Sequence, residues 1–351
     1  MDIAVKNIDD YLVPVPDNSG FKMDDYWVWC GSVVKGEDGC YHMFASRWRK
    51  TLPFHPGWAM ESEVVRAKSA TPEGPYTFEE VVLPARGAQY WDGRATHNPA
   101  IIKHNDEYIL FYTGTTYPYS RIEDNDPSFN HTSYQFTSAR ANKRIGIAIS
   151  KSIYGPWERR DTPILQTRPD HFDNLLTSNP APCINEDGSC LLVYKTRTYN
   201  EMPYTYENLQ GPMLLGVAYA PHYTQEFKPL TDKPLFDLKE CIVEDPFIWN
   251  NGEGYSMIAK DWRGDITGAV GNGMFASSKD GVDWKVEQNF CSLSRYITKA
   301  DGSKQLMGNM DRPFLLKENG QFTHLFIATN NGSEAKFTTQ TESWNMCIPL
   351  K

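Results

Sequence analysis

The chain has 351 residues, of which 40% are hydrophobic and 23% are charged, values typical of a soluble globular protein. Its 35 Lys and Arg residues face 44 Asp and Glu residues, which leaves a formal net charge of −9. This negative balance argues against general nucleic-acid binding and against binding to an anionic membrane surface. No apolar run is long enough for a membrane-spanning helix.

The N-terminal residues 1–6 lack the basic segment and the apolar core of a signal peptide. We therefore expect a cytoplasmic protein, or a periplasmic or secreted one if a signal peptide has been removed. The seven cysteines are scattered along the chain without a Cys-x-x-Cys pair. This pattern favours reduced thiols over a disulfide framework or a zinc site.

One pattern recurs five times: a polar pair or its substitute, then Pro or Gly, an apolar strand, a polar turn and a second apolar strand. The turns are rich in Gly, Asn and Asp, which adopt the positive φ angles that tight hairpins require. Each unit therefore begins with a hairpin. The units begin at Cys30, Asn98, Asn179, Asp245 and Arg312, which are 68, 81, 66 and 67 residues apart.

A second hairpin follows in the first four units, with alternating apolar and polar residues and then a turn that contains an aromatic residue. Four antiparallel strands repeated five times predict an all-β fold, a five-bladed β-propeller that forms one domain over residues 1–351. The alternatives are a β-sandwich or two β domains. The blades are expected at about residues 24–85, 92–166, 173–237, 240–290 and 306–351.

Two regions depart from the repeat. The fifth unit stops after a third strand at residues 344–348, so an N-terminal strand near residues 11–13 is expected to close the ring and cover the exposed edge. Residues 117–144 form a long polar insertion inside the second blade. Loops of this length are usually functional or disordered, and we expect either a pocket rim or a subunit contact in a homo-oligomer.

The topology of a propeller predicts where functional residues meet. The first strand of each blade lines the central channel and the second runs back antiparallel, so the start of the first and the end of the second lie on one face. Acids, bases and aromatic rings then surround a cavity on the axis, the default position of a binding site. First-strand starts supply Trp29, His97, Asn98, Asn179, Glu244, Asp245, Asp311 and Arg312, and second-strand ends supply Arg47, Lys195, Arg197 and Lys260.

The charged residues on this face allow two interpretations. A carboxylate at an enclosed axis needs a partner or a task, which makes Glu244 and Asp311 stronger candidates than Asp245, whose place before a proline also suits a turn or a cap. The basic residues either pair with these acids or bind an anionic substrate group such as a uronate, sulfate or phosphate. They are Arg47, Lys195, Arg197, Lys260, Arg263 and Arg312.

Other polar residues also have structural explanations. Asp92 lies in the entry loop of the second blade, where a salt bridge with Arg94 explains it as well as a catalytic role does. Asp25 belongs to an acidic pair before the first blade, and such a pair is also explained by exposure to solvent. His97 suits hydrogen bonding in a pocket better than metal binding.

Five blades that open with an x-Pro step resemble the glycoside hydrolase family 43 superfamily, which includes families 32, 62 and 117, with the family 130 phosphorylases as further relatives. The outer hairpins add to the resemblance, because they read Ala-x-Ser at residues 67–69 and 148–150 and then Gly-Pro-aromatic at 74–76 and 155–157. In those enzymes a Glu shortly before a Pro in a late blade is the general acid. Glu244, in the sequence Val-Glu-Asp-Pro, matches that position.

Two other positions depart from the pattern of family 43. The resemblance implies a base Asp before Pro in the first blade, where this chain has Cys30 followed by Gly31. It also implies an Asp that modulates the pKa of the acid from a middle blade, where this chain has Asn179. The triad is therefore incomplete, and a family 117-like or unclassified branch fits better than a xylosidase or an arabinofuranosidase.

The resemblance implies a glycoside hydrolase, and we expect an exo-acting one that cleaves oligosaccharides from plant or algal polysaccharide. The basic residues make an anionic uronate or sulfated sugar a candidate substrate. This chemistry needs two carboxyl groups. We expect Glu244 to be the acid, with its pKa raised by neighbouring carboxylates. Asp311 is the expected base, because it occupies the equivalent position one blade further on, and Asp25 and Asp92 are the alternatives.

Three other functions are compatible with the same pattern. The first is a glycoside phosphorylase of the same fold, which the basic residues favour, and the second is a non-catalytic carbohydrate-binding propeller. The third is a polysaccharide lyase, in which Tyr or His with Arg replaces the acid pair. We expect an oligosaccharide as partner, with no nucleic acid and no membrane. No cofactor is required; related enzymes sometimes hold calcium on the axis, so an axial calcium stays open although the sequence has no Asp-rich calcium loop.

Overall fold

The computed structural model describes residues 6–351 except 201, 203–204, 206–207, 237–241, 333–336 and 338. The chain folds into a ring of five four-stranded antiparallel sheets, which confirms the five-bladed β-propeller. Strand β1 (Phe21–Lys22) precedes the first blade in sequence. Blade 1 contains β2 (Tyr26–Lys35), β3 (Tyr41–Arg49), β4 (Glu63–Ser69) and β5 (Thr77–Leu83).

The remaining blades follow in chain order. Blade 2 contains β6 (Ala95–His104), β7 (Glu107–Thr115), β8 (Arg144–Ser150) and β9 (Glu158–Arg159). Blade 3 contains β10 (Leu176–Ile184), β11 (Cys190–Tyr199), β12 (Gln210–Ala220) and β13 (Lys228–Pro229). Blade 4 contains β14 (Val243–Asn250), β15 (Tyr255–Asp261), β16 (Gly273–Ser278) and β17 (Trp284–Val286). A hairpin of β18 (Tyr296–Thr298) and β19 (Lys304–Leu306) leads to blade 5, which contains β20 (Met310–Glu318), β21 (Gln321–Asn330), β22 (Ser343–Pro349) and β1.

An N-terminal strand closes the ring, as expected, but it lies later in the chain than expected. Strand β1 pairs with β22 and so covers the edge of the last blade. Residues 11–13 do not provide this strand, since Leu12 forms only an isolated bridge with Leu350. Phe21 is buried and Lys22 exposed, so even this two-residue strand has the alternation of a sheet with one solvated face.

Apolar side chains fill the spaces between neighbouring blades. Phe111 and Ile147 of blade 2 pack with Leu192 and Ala218 of blade 3, and equivalent clusters join the other four pairs of neighbours. Full burial of one such Leu, Ile or Phe side chain contributes about 1.5–3 kcal/mol. These five interfaces hold the first strands of all blades around a central channel.

Every first strand has the same irregularity near the axis. Its pairing with the second strand shifts so that two residues oppose one, which is a β-bulge. The first residue of each bulge has a left-handed backbone, with φ between 49° and 57°, although none of the five is glycine. These bulge residues are Cys30, Asn98, Asn179, Asp245 and Arg312.

Two helices lie between the second and third strands of blades 1 and 2, namely α1 (Phe54–Glu61) and α2 (Tyr134–Ala141). The ring of Phe136 in α2 packs edge-on against the ring of Trp58 in α1, with centroids 6.0 Å apart. Helix α2 belongs to the insertion at residues 117–144, so this insertion is folded against its neighbour. Among the described residues, no helix is long and apolar enough to cross a membrane.

Candidate active site

The five bulge residues form a belt across the axis, in which hydrogen bonds join four of them and an ion pair adds the fifth. Cys30 Sγ donates to Asn98 Oδ1 (2.7 Å), and Asn98 Nδ2 donates to Asn179 Oδ1 (2.6 Å). Asn179 Nδ2 in turn donates to Asp245 Oδ1 (2.6 Å), and a guanidinium nitrogen of Arg312 lies 3.7 Å from the same oxygen. Each blade therefore contributes one side chain to a belt that spans the channel.

The belt lies between two cavities. On one side is an apolar cavity of about 380 Å³, which is lined by the prolines that follow the bulge residues and by rings such as Phe247 and Phe314. On the other side is a cavity of about 340 Å³ that contains acids, bases and aromatic rings, and this is the candidate active site. The predicted residues that line it are Trp29, His97, Asn98, Asn179, Lys195, Arg197, Glu244, Asp245 and Asp311.

Glu244 is held as an anion by two donors. Lys195, from β11 of the neighbouring blade, pairs with Oε1, and the indole nitrogen of Trp262 donates to Oε2. Burial raises the pKa of this carboxyl, but the charges of Lys195 and Lys260 outweigh burial and hold the pKa of Glu244 at about 2. The expectation of a raised pKa was wrong, because the groups closest to Glu244 are cations rather than carboxylates.

Asp311 precedes the bulge residue of blade 5, just as Glu244 precedes that of blade 4. Lys260 Nζ lies 2.7 Å from Asp311 Oδ1 and also donates to Asn309 Oδ1 at 2.9 Å. Burial raises the pKa of Asp311, Lys260 opposes this rise, and the negative charge of Glu244 adds to it. The two carboxyl groups of this layer thus have pKa values shifted in opposite directions, as in many acid/base pairs.

Asp245 lies in the belt rather than in front of it. Burial and the charge of Glu244 raise its pKa to about 7, although Arg312 opposes the rise. Asp245 Oδ1 accepts the hydrogen bond from Asn179, which an uncharged side chain of the same shape also accepts. The negative charge of Asp245, rather than its hydrogen bond, therefore costs free energy in this buried position.

The pH dependence of stability tests this conclusion. A carboxyl whose pKa rises from 3.8 to about 7 on folding binds its proton more tightly in the folded chain, so stability falls as the pH rises through this interval. Asp245→Asn is expected to remove this part of the fall while keeping the bond from Asn179. The measurement is Tm between pH 4 and pH 8 for both proteins. Parallel curves would contradict the raised pKa.

Aromatic rings form the walls of the cavity. Trp29 meets Phe54 edge-on at 4.9 Å, and Phe54 stacks on Phe337 at 5.1 Å between ring centroids. Trp48 and Trp58 lie on the same side as Phe54, and Trp262 lies beside Glu244. Flat apolar faces next to polar groups suit the two faces of a sugar ring.

His97 is a hydrogen-bonding residue of the cavity. Its Nδ1 lies 2.7 Å from Ser62 Oγ, and its ring stacks on Trp58 at 5.4 Å. Burial lowers the pKa of His97 well below its usual value, and the charges of nearby cations such as Lys143 lower it further. His97 is therefore a neutral imidazole in this environment.

Two cations in the cavity were missed by the sequence interpretation. Arg140 in α2 and Lys143 just after it line the cavity, although both belong to the insertion of blade 2. The insertion thus contributes to the pocket, in agreement with the pocket-rim interpretation. The only signal was its length and polarity, which do not indicate which basic residue points inward. Lys260 and Arg312 lie next to the cavity, each within ion-pair distance of a carboxylate that lines it.

Two predicted residues lie elsewhere, which corrects the sequence interpretation. Arg47 pairs with Glu63 at 2.8 Å and lies over the rings of Tyr26 and Phe78. Its neighbour in β3, Trp48, faces the cavity, and successive side chains of a strand point to opposite faces. Asp25 is exposed in the turn before β2 and does not line the cavity.

Asp92 also lies outside the cavity, and it does not pair with Arg94. It is fully buried, and its carboxylate accepts hydrogen bonds from Arg86 Nε (2.7 Å) and from the hydroxyl of Tyr112 (2.8 Å). Arg159 lies 3.5 Å from Asp92 Oδ2, the same oxygen that accepts from Tyr112. Blade 3 repeats this arrangement with Asp173, Arg168 and Tyr194. The repetition indicates a structural role at the entry of a blade.

Asp92→Asn is expected to destabilise the protein by about 3 kcal/mol, because it removes the charge that a buried ion pair requires. Urea unfolding measures the loss. Asp161→Asn is the matched control, since Asp161 pairs with the same Arg86 at 2.6 Å but its side chain is 75% exposed. It is expected to cost less than about 1 kcal/mol. Equal losses in the two variants would contradict the structural role of Asp92.

The axis offers poor ligands for calcium. Within the part of the chain that the structure describes, no group of three or more His, Cys, Asp or Glu residues could hold a metal ion. The carboxylates near the axis are each paired with a side-chain cation, so this donor set does not fit a divalent ion. The six described cysteines are free thiols, and Cys241 lies outside the described residues.

The fold of this chain is similar to the folds of several solved glycoside hydrolases. The chain is similar to Zg3597, a family 117 glycoside hydrolase from the marine bacterium Zobellia galactanivorans, with a TM-score of 0.61, 14% identity and 97% of this chain and 89% of that chain covered. It is also similar to a thermostable family 43 glycoside hydrolase, with a TM-score of 0.60, 14% identity and 97% and 93% of the two chains covered.

A third similar structure is the endo-arabinase from Bacteroides thetaiotaomicron, with a TM-score of 0.55, 13% identity and 95% and 97% of the two chains covered. No family model and no curated protein matches the sequence. At identities this low the similarity is one of fold. It confirms that the resemblance to the family 43 superfamily extends over nearly the whole chain as architecture.

Proposed function

We propose that this protein is a glycoside hydrolase that releases sugars from the end of an oligosaccharide derived from plant or algal polysaccharide. One observation carries the proposal: Glu244 and Asp311 occupy equivalent positions in adjacent blades, line one axial cavity and have pKa values shifted in opposite directions. Glycoside hydrolysis needs one proton-holding and one ionised carboxyl group. Tryptophan rings in the same cavity supply stacking surfaces for a sugar.

The belt supports an exo-acting enzyme. Its hydrogen bonds run from Cys30 to Asp245 through Asn98 and Asn179, and Arg312 extends it to the fifth blade. A chain of bonded side chains across the channel gives the cavity a floor. A pocket with a floor accepts the end of an oligosaccharide rather than its middle.

The environment of each carboxyl group suggests its role. Both oxygens of Glu244 accept from donors, so the carboxylate form is favoured and Glu244 acts as base or nucleophile. Asp311, whose pKa is raised, donates the proton to the glycosidic oxygen as that bond breaks. Glu244 either takes a proton from water as the water attacks the anomeric carbon, or attacks that carbon itself. This assignment reverses the one expected from the sequence, in which the family resemblance made Glu244 the acid and the position of Asp311 made it the base.

The test is reducing-sugar release from a panel of neutral, uronate-containing and sulfated oligosaccharides of plant and algal origin. We expect one terminal sugar per cleavage from at least one panel member. Release of internal fragments would contradict the exo mode. Binding without any cleavage after long incubation would contradict a hydrolase and favour a carbohydrate-binding propeller.

A phosphorylase is the second candidate, because Arg140, Lys143 and Arg197 line the cavity beside the carboxyl groups and are able to bind phosphate. In that case phosphate replaces water at the anomeric carbon and the product is a sugar 1-phosphate. Turnover that requires inorganic phosphate would identify it. Turnover at the same rate in phosphate-free buffer would exclude it.

A further inference from the structure

The cavity contains more positive charge than its carboxylates pair with. Each carboxylate that lines it has a cation as partner, in the pairs Glu244–Lys195, Asp311–Lys260 and Asp245–Arg312. Three further cations line the same cavity, and no described carboxylate lies within ion-pair distance of them. These cations are Arg140, Lys143 and Arg197.

Lys143 is the most enclosed of the three. It is 4% exposed, and its ammonium lies 3.6 Å from the centroid of the Trp58 ring. Burial and the nearby charges of Lys195 and Arg140 lower its pKa well below the usual value. An aromatic face offsets only part of the cost of burying an ammonium group, so a buried lysine without a carboxylate partner needs a task.

The two arginines are positioned by contacts that leave part of each guanidinium available. Arg197 Nη1 donates to the carbonyl of Gly211 at 2.7 Å, whereas its buried Nε has no hydrogen-bond partner among the described residues. Arg140 lies over the ring of Phe136, 5.4 Å from its centroid. The charges of Arg140 and Arg197 act on Lys195, and the charges of Lys195 and Glu244 act on Lys143, so all three cations lie close to the ion pair of Glu244. Such a cluster repels itself unless an anion joins it.

We infer that Arg140, Lys143 and Arg197 bind an oxyanion carried by the terminal sugar, namely the carboxylate of a uronic acid. A guanidinium presents a planar fork of donors that matches a planar carboxylate, and the ammonium of Lys143 adds a third charged donor. The cleavage of such a sugar rests on the proposed function, whereas its binding does not. A sulfate ester has related chemistry, and the experiment separates the two sources.

The test compares matched oligosaccharides whose terminal sugar is a uronate, its neutral parent or its 6-sulfate, which differ only at C6. Binding to the full chain is measured by calorimetry and cleavage by sugar release. The uronate is expected to bind at least about tenfold more tightly than the neutral sugar. Lys143→Met is expected to weaken uronate binding about tenfold to a hundredfold and to weaken binding of the neutral sugar much less.

Lys103→Met is the matched control. Lys103 is exposed, lies 5.2 Å from the ring of Tyr108 and lines the cavity on the other side of the belt, so it keeps the cation–aromatic contact without the site. We expect it to bind the uronate as the unaltered protein does. Lys143→Met is also expected not to lower Tm in the absence of sugar, because it removes a buried charge without a carboxylate partner. A lower Tm would show that Lys143 has a structural partner and would overturn the inference.

Other outcomes also decide the matter. Equal affinity for uronate and neutral sugar, or no binding of any uronate, overturns the inference, and so does a preference for the sulfate or a requirement for inorganic phosphate. If neutral sugars alone are cleaved, the proposed hydrolase stands and the uronate site is excluded. If uronate binding depends on Lys143 but no cleavage follows, the uronate site stands and the proposed hydrolase is excluded.

Discussion

Glu244→Gln is expected to slow hydrolysis of the natural oligosaccharide by about two to four orders of magnitude. Glutamine keeps the size of the side chain and one oxygen, but it lacks the charge that Lys195 stabilises. Since the pKa of Glu244 is about 2, the group that is lost is an ionised carboxylate at any ordinary working pH. The measurement is kcat at saturating substrate, which reports the chemical step when that step is slow.

The leaving group separates the roles that Glu244 could take. If Glu244 is the base or nucleophile, the loss is expected to be similar for an oligosaccharide and for an aryl glycoside with an acidic phenol, since Glu244 does not assist departure. Added azide, which can attack the anomeric carbon in its place, is expected to restore part of the rate and to give a glycosyl azide. Full recovery on the aryl glycoside without azide would instead assign the acid role to Glu244.

Glu63→Gln is the matched control for this variant. Glu63 pairs with Arg47 at 2.8 Å, so the substitution again removes a carboxylate from a cation, but outside the cavity. We expect no change in rate. A similar loss of activity in both variants would indicate a general effect on the fold of removing a paired carboxylate, rather than a role of Glu244 in the reaction.

The repeated bulge explains why the sequence located much of the cavity. Each unit was recognised from a residue in front of a Pro or Gly, and that residue is the left-handed position of the bulge. Asn and Asp tolerate this backbone better than most residues, which is why Asn98, Asn179 and Asp245 stand there. The residue before the bulge faces the cavity in four blades, so Glu244 and Asp311 could be found by counting back one position.

What the sequence did not indicate depends on contacts between distant residues. Arg140 and Lys143 point into the cavity because α2 packs on α1, and no repeat predicts that contact. Arg47 was misplaced because its distance in sequence from the repeat does not show to which face of β3 its side chain points. The register of β3 with β2 determines that face. The low pKa of Glu244 follows from Lys195, a residue of another blade.

Asp311→Asn is expected to slow cleavage of the natural oligosaccharide by about two to four orders of magnitude as well, but with the opposite dependence on the leaving group. Without its acid the enzyme cannot protonate a poor leaving group such as a sugar hydroxyl. A phenol of low pKa departs without a proton, so activity on the aryl glycoside is expected to recover largely. The measurement is kcat/KM against the pKa of the leaving group for both Asp311→Asn and Glu244→Gln. The same slope in both variants would contradict the division of roles.

Lys260 determines whether the loss in Asp311→Asn is chemical or structural. Its ammonium is fully buried and lies 2.7 Å from Asp311 Oδ1, so at a pH above the raised pKa of Asp311 the single variant leaves an uncompensated charge and is expected to lose about 3 kcal/mol of stability. Asp311→Asn combined with Lys260→Met removes both charges and is expected to restore most of that stability, measured by urea unfolding. If Asp311 supplies the proton, the double variant stays slow on the natural oligosaccharide even though it is stable. If activity returns together with stability, the carboxylate serves only to neutralise Lys260, and the acid must be another group of the cavity.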